Sequence, residues 1–135
     1  VSIRLTDMKS WLEKVPAIRC MTERKGHADF FAYEDVRKVD AANLDFILRF
    51  GFSIIRGEIL GAARYGVWSF HHGDEQKYRG GPPGLWEIIN REKVTGAILQ
   101  RLTNRLDAGI VLRKGYFRTI GHSWSGTIDQ LFYET

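Results

Sequence analysis

The sequence predicts an α/β fold, a mostly parallel sheet with flanking helices. Three observations lead there. Apolar runs of strand length alternate with segments of helical spacing, the pattern of βαβ units. Glycine or proline marks several of the junctions between them. The 135 residues, 44% hydrophobic and 13% aromatic, suffice for one domain with a buried core. The single cysteine, Cys20, forms no internal disulfide, which excludes a disulfide-stapled scaffold.

The elements follow in order. Residues 7–15 read as a short helix, started by Thr6 or Asp7 and stopped by Pro16. Residues 17–21 are a strand candidate, and 26–31 read as irregular. Residues 33–42 have helical spacing with Val36 and Val39 on one side. Residues 44–50 are apolar and β-favouring, so they read as a strand. A helix is expected over 57–64 and a strand over 66–71. A polar loop over 72–81 leads through Gly-Gly-Pro-Pro into a helix over 84–91, where first-turn prolines forfeit no hydrogen bond. Leu85, Trp86, Ile88 and Ile89 are expected to face inward from it. Two strands, 94–103 and 109–118, and a helix from Ser123 complete the chain. Four or five strands are few for a doubly wound sheet, the first residue is Val, and the pattern is still helical near residue 133. The chain therefore reads as a single domain that is a piece of a longer protein.

Charge is mildly basic, 20 Lys and Arg against 16 Asp and Glu, and no run of five like charges occurs. A solvated surface accounts for it, although attraction to a polyanionic partner is compatible. The longest apolar stretch, 44–55, is broken by Asp45 and Arg49 and is too short to span a bilayer. The first 19 residues carry scattered charges and no signal-peptide pattern, so a cytoplasmic protein without membrane partners is expected.

Open parallel sheets place their sites at the carboxyl ends of strands. The strand over 66–71 ends in Ser69-Phe-His71, and the loop beyond adds His72, Asp74, Glu75, Lys77 and Arg79. A metal site there is disfavoured. His71 and His72 are adjacent, point to opposite faces of a strand, and no second histidine stands at helical spacing. Ser69 lacks the strand–turn–helix glycine pattern that exposes a nucleophile. What remains is acid–base and electrostatic chemistry, with His71 at a strand end and Asp107 as its partner from a neighbouring turn. As a residue type, Asp107 suits a structural turn equally well.

Strand 44–50, the segment around His71, Lys77-Tyr-Arg-Gly80, the helix after Pro83, Val94-Thr-Gly-Ala-Ile98 and Leu106-Asp-Ala-Gly-Ile110 follow one another in a telling order. Their spacing resembles the formyltransferase domain of enzymes that use 10-formyltetrahydrofolate, over roughly residues 40–118. The resemblance implies a Rossmann-like formyltransferase fold whose amino-terminal strands precede Val1. It implies transfer of a formyl group from 10-formyltetrahydrofolate to a primary amine, such as an amino-sugar nucleotide or an aminoacyl-tRNA. Nucleic acid is then a partner only if the acceptor is a tRNA. The family's catalytic histidine and aspartate fall on His71 and Asp107, and Ser69 stands where the family has an asparagine that helps hold the formyl oxygen. Tyr78, Arg79 and Gly80 match its Tyr-Arg-Gly beside the folate, with His72 a further candidate for that site. His72-Gly-Asp-Glu-Gln76 replaces its Pro-Ser-Leu-Leu-Pro segment. These departures raise an alternative, a formyltransferase-like domain that has lost the reaction and binds a ligand or partner. A third reading is a hydrolase acting on formyl-folate with the same two residues.

Overall fold

A computed structural model describes residues 7–51, 53–105 and 108–135. Thr6 and Asp107, both named above, lie outside the described residues. The elements run α1 (Lys9–Leu12), β1 (Thr22–Lys25), β2 (Ala28–Phe31), α2 (Tyr33–Asp40), β3 (Ile47–Leu48) and β4 (Ile54–Arg56). A 3-10 turn (Glu58–Gly61) is followed by β5 (Val67–His71), α3 (Leu85–Ile89), β6 (Val94–Arg101), β7 (Ile110–Arg118) and α4 (Trp124–Tyr133).

The α/β class is as expected, but the pairing is mixed rather than mostly parallel. One sheet has the order β1-β2-β4 and the other β3-β5-β6-β7. The β2–β4 and β3–β5 pairs are parallel, whereas β1–β2, β5–β6 and β6–β7 are antiparallel. Connection length decides the β6–β7 pair. A short loop joins β6 to β7, and a parallel return needs a dozen or more residues.

Several boundaries differ from the sequence reading. The strand expected over 17–21 is absent, and the hairpin lies later, over β1 and β2, turning at Gly26 with φ +61°. Its strands carry charges and adjacent phenylalanines, so no alternation marks them. Helix 7–15 shrinks to the single turn of α1, whose face finds nothing to pack on among the described residues: Trp11 and Leu12 are exposed. Strand 44–50 narrows to Ile47–Leu48, while the carbonyls of Leu44 and Asp45 accept from Arg64 and Tyr65 outside the ladder. The helix expected over 57–64 is the 3-10 turn, entered through Gly57 at φ +89°.

The core gathers Val36 and Val39 of α2 with Ile55, Ile59 and Ala62, with Phe31, Ile47 and Cys20 against it. The α3 helix is turned differently from expectation. Trp86 and Ile89 are exposed and Glu87 is buried, so the largest apolar side chains do not set the helix phase. Packing against α4 constrains it: a Cβ on Gly84, at φ +70°, would meet Thr127 Cγ2 at 2.8 Å. Trp124 Nε1 donates to the Pro83 carbonyl at 2.9 Å, and Ser123 Oγ accepts from Gly126 N–H to cap α4.

Candidate active site

The alternation along β5 is the starting point. Successive side chains point to opposite faces, so Ser69 and His71 share one face, and Trp68 and Phe70 the other. Trp68 stacks on Phe46 with centroids 4.4 Å apart. Directly paired residues of antiparallel strands also share a face. Ser69 is opposite Gln100, His71 is opposite Ile98, and Ile98 is in turn opposite Lys114. One side of the sheet thus carries Ser69, His71, Gln100 and Lys114.

Over that face lies a cavity of about 230 Å³, lined by Ser69, His71, Ile98 and Gln100 of the sheet and by Ile54 and Ile55 of β4. Arg49, Arg56, Arg79 and Arg105 also line it, with Glu75 among the remaining residues of the wall. Among the described residues, none of these four arginines forms a salt bridge. Arg49 Nη1 donates to the Ser53 carbonyl at 2.6 Å, yet its Nε is buried without a partner, and burial lowers its pKa. Arg79 Nε donates to the Glu75 carbonyl at 3.1 Å. One carboxylate, Glu75, also lines the cavity but is paired with Lys114, so the wall is positive on balance, which suits an anionic group on a ligand.

His71 Nε2 lies 3.1 Å from the Tyr78 carbonyl oxygen. A carbonyl only accepts, so Nε2 carries a hydrogen, and in the neutral ring the lone pair sits on Nδ1. The 72–81 loop fixes this contact. The amides of Lys77 and Tyr78 donate to the Asp74 carbonyl at 2.9 and 2.7 Å, and Gln76 N–H donates to Asp74 Oδ1. Lys114 then clamps the loop to the sheet. Its Nζ donates to Asp74 Oδ1 at 2.8 Å and lies 2.9 Å from the Glu75 carboxylate. Gly96 lets the loop down onto β6, because a Cβ there would sit 3.1 Å from Asp74 Cα. Burial works against the Lys114 charge, but the hydrogen bonds to Asp74 and Glu75 outweigh it and raise its pKa. Likewise burial opposes the Asp74 charge, and the Lys114 bond prevails and lowers its pKa.

The structure brings together His71, Ser69 and Arg79 around the cavity. Ser69 is 2% exposed, and its hydroxyl donates to the Phe70 carbonyl at 3.1 Å. Tyr78 is a strut rather than a lining residue: its hydroxyl donates to Glu92 Oε1 and accepts from Asn90 Nδ2. His72 lies against Phe132, its Nε2 3.2 Å from Thr135 Oγ1, and burial lowers its pKa. Gly80 is exposed and does not line the cavity. Lys114 and Gln100, unmarked by any local motif, become visible only through strand register. Glu87 is also new. Burial raises its pKa, the charges of Glu92 and Asp74 add to the rise, and that of His71 opposes it. Among the described residues no group of three or more His, Cys, Asp or Glu is placed to hold a metal ion, and no helix is long and apolar enough to cross a membrane.

No protein-family model matches the chain. It is 30% identical over 119 residues to a methionyl-tRNA formyltransferase of Clostridium tetani, covering 87% of this chain and 37% of that protein. It is 29% identical over 112 residues to that of Agathobacter rectalis, covering 76% of this chain and 36% of that protein. The chain is a relative of the formyltransferases. A third match to this formyltransferase relative is the bifunctional polymyxin resistance protein ArnA of Wigglesworthia glossinidia brevipalpis, 38% identical over 69 residues, half of this chain and 11% of that protein. The chain thus spans little more than a third of the length of the methionyl-tRNA formyltransferases it matches. Among solved structures, a formyltetrahydrofolate deformylase from Pseudomonas syringae aligns at TM-score 0.43 and 21% identity, over 49% of this chain and 22% of that one.

Proposed function

We propose that the cavity beside His71 is a site of formyl transfer from 10-formyltetrahydrofolate to a primary amine. The observation that carries this is His71 itself, at the end of β5, lining the cavity with its ring held by the Tyr78 carbonyl. Kinship with formyltransferases supports it. The volume of about 230 Å³ suits the formyl-bearing part of the donor and not the whole molecule. The unpaired Arg49 Nε and the neighbouring arginines suit carboxylates of the donor or phosphates of an acceptor such as an amino-sugar nucleotide or aminoacyl-tRNA.

The donor supplies an electrophilic formyl carbon: the amine nitrogen bonds to it, the carbon–N10 bond breaks, and the amine proton is transferred in net to N10. His71, neutral, takes that proton at Nδ1, and as imidazolium donates it while holding the oxygen on which negative charge develops. Asp107, which the family resemblance pairs with the catalytic histidine, would favour the imidazolium through its opposite charge. Lys114 keeps the loop, and so the Tyr78 carbonyl, in place.

A second reading, a domain that binds its ligand without turnover, is favoured by one observation: the Ser69 hydroxyl is directed at the Phe70 carbonyl. Turnover of 10-formyltetrahydrofolate by the whole protein, against a panel of amines, separates the two. His71→Ala abolishes turnover while the protein stays folded. Wild-type protein that binds the donor and leaves every amine unformylated overturns the transferase reading.

A further inference from the structure

A charge taken out of water costs stability unless an opposite charge meets it. Two arginines of the cavity stand against that rule. Arg49 and Arg56 are half-buried, whereas Arg79 and Arg105 are exposed. Among the described residues neither Arg49 nor Arg56 forms a salt bridge. Glu75, on the same wall, is held by Lys114 instead.

The two come from different sheets. Arg49 directly follows β3, and its amide donates to the Trp68 carbonyl at 2.8 Å, which keeps it beside β5. Ile47 pairs with Val67, and two residues further on Arg49 and Ser69 share that face. Arg56 ends β4 in the three-stranded sheet, on the side of Ile54, another lining residue. The Arg49 guanidinium is already held at one corner. Its Nη1 donates to the Ser53 carbonyl at 2.6 Å. Ser53 Oγ in turn donates to Asp29 Oδ2 of β2 at 2.5 Å and accepts from Arg24 Nη2 at 2.8 Å. Arg49 Nε is buried with no partner. Two like charges that face one cavity repel, and an anion between them is attracted to both. It also gives the unused N–H groups an acceptor.

We propose that Arg49 and Arg56 form an anion subsite of the His71 cavity, and that the molecule bound there carries a carboxylate or phosphate seated between the two sheets. The identity of that molecule rests on the formyl-transfer reading, but the subsite is tested without turnover. Because each sheet supplies one arginine, the bound anion ties the sheets together, and it stabilises the fold as well as fixing the ligand. Two sources supply such a group: the glutamyl carboxylates of the folate donor, or a phosphate on the amine acceptor.

The first probe is inorganic phosphate, titrated at constant ionic strength into ¹⁵N-labelled whole protein while the Arg49 Nε–H signal and Tm are followed. In wild type the signal shifts and saturates, and Tm rises with it. Arg56→Gln removes one of the two charges and weakens phosphate by about tenfold or more. Arg49→Lys keeps the charge, loses the Nε donor and weakens it as well; Arg56→Gln covers the case in which that variant fails to fold. No saturable shift in wild type overturns the proposal. So does an unchanged affinity in both variants, or a loss produced by Arg105→Gln and not by them. The second comparison finds the source. Arg56→Gln that weakens 5-formyltetrahydrofolate, but not the pteroate form lacking the glutamyl group, assigns the anion to the donor. A raised KM for phosphorylated amines with folate affinity unchanged assigns it to the acceptor, and neither effect overturns the subsite. Arginine-dependent phosphate binding without formylation of any amine leaves the subsite standing and removes the transferase reading. Wild-type turnover that both variants match, in kcat and in both KM values, does the reverse.

Discussion

Replacing Lys114 with Met tests how the loop over the sheet is held. In the folded protein Lys114, Asp74 and Glu75 have side chains 18%, 16% and 26% exposed, and the ammonium sits within 2.9 Å of both carboxylates. Methionine retains most of the apolar stem and removes the charge, leaving two mostly buried carboxylates side by side. Removing one partner of a fully buried pair costs about 3–5 kcal/mol; residual exposure reduces this to about 2–3 kcal/mol here. For a chain of this length that lowers Tm by roughly 6–12 °C. The pH dependence carries a sign. Asp74 has a folded pKa below its ordinary 3.8, so its contribution is present above that value and is lost as pH falls through the folded one. Lys114 has a folded pKa above its ordinary 10.5, so its contribution is complete below 10.5 and lost as pH rises beyond it. The difference between wild type and variant is therefore flat across neutral pH and shrinks in acid. Urea unfolding of both proteins at pH 7 and at pH 3 measures it. A loss below about 0.5 kcal/mol at pH 7, or an equal loss at pH 3, refutes the clamp.

Three further outcomes are expected. Glu87 is 2% exposed with a raised pKa, so ionising it destabilises the fold as pH rises above its ordinary 4.5. Glu87→Gln should gain about 1 kcal/mol or more at pH 7 and nothing at pH 4, read by denaturant melts. Gly84→Ala places a Cβ at φ +70° against Thr127 and should lose about 2–4 kcal/mol by the same assay. Thr95→Val breaks the buried 2.8 Å bond to Thr119 and should lose about 1–2 kcal/mol, which Thr119→Val in the same chain partly restores.

What the sequence disclosed, and what it hid, follows from periodicity. Val36 and Val39 at helical spacing gave α2, and the long β-favouring runs gave β6 and β7 to within a few residues. Ser69 and His71 were readable as one face because alternation is a local property of a strand. The hairpin of β1 and β2 was not readable, since a charged edge strand shows no apolar alternation. The β4 strand was concealed inside a longer apolar stretch, 44–55. Glu87 was missed because hydrophobicity assigns Trp86 and Ile89 to the core, whereas the contact between Gly84 and Thr127 constrains the helix phase. Lys114 and Gln100 depend on strands separated by tens of residues, and only the register brings them to the sheet face that bears His71.

The account turns on what enters the cavity beside His71. Chemical-shift mapping of the whole protein with 5-formyltetrahydrofolate, a stable relative of the donor, reads that out. Saturable shifts centred on Ile54, His71, Ile98 and Arg105 are the expected result. Shifts confined to the apolar groove around Cys20 and Phe50, or none at saturating ligand, contradict it.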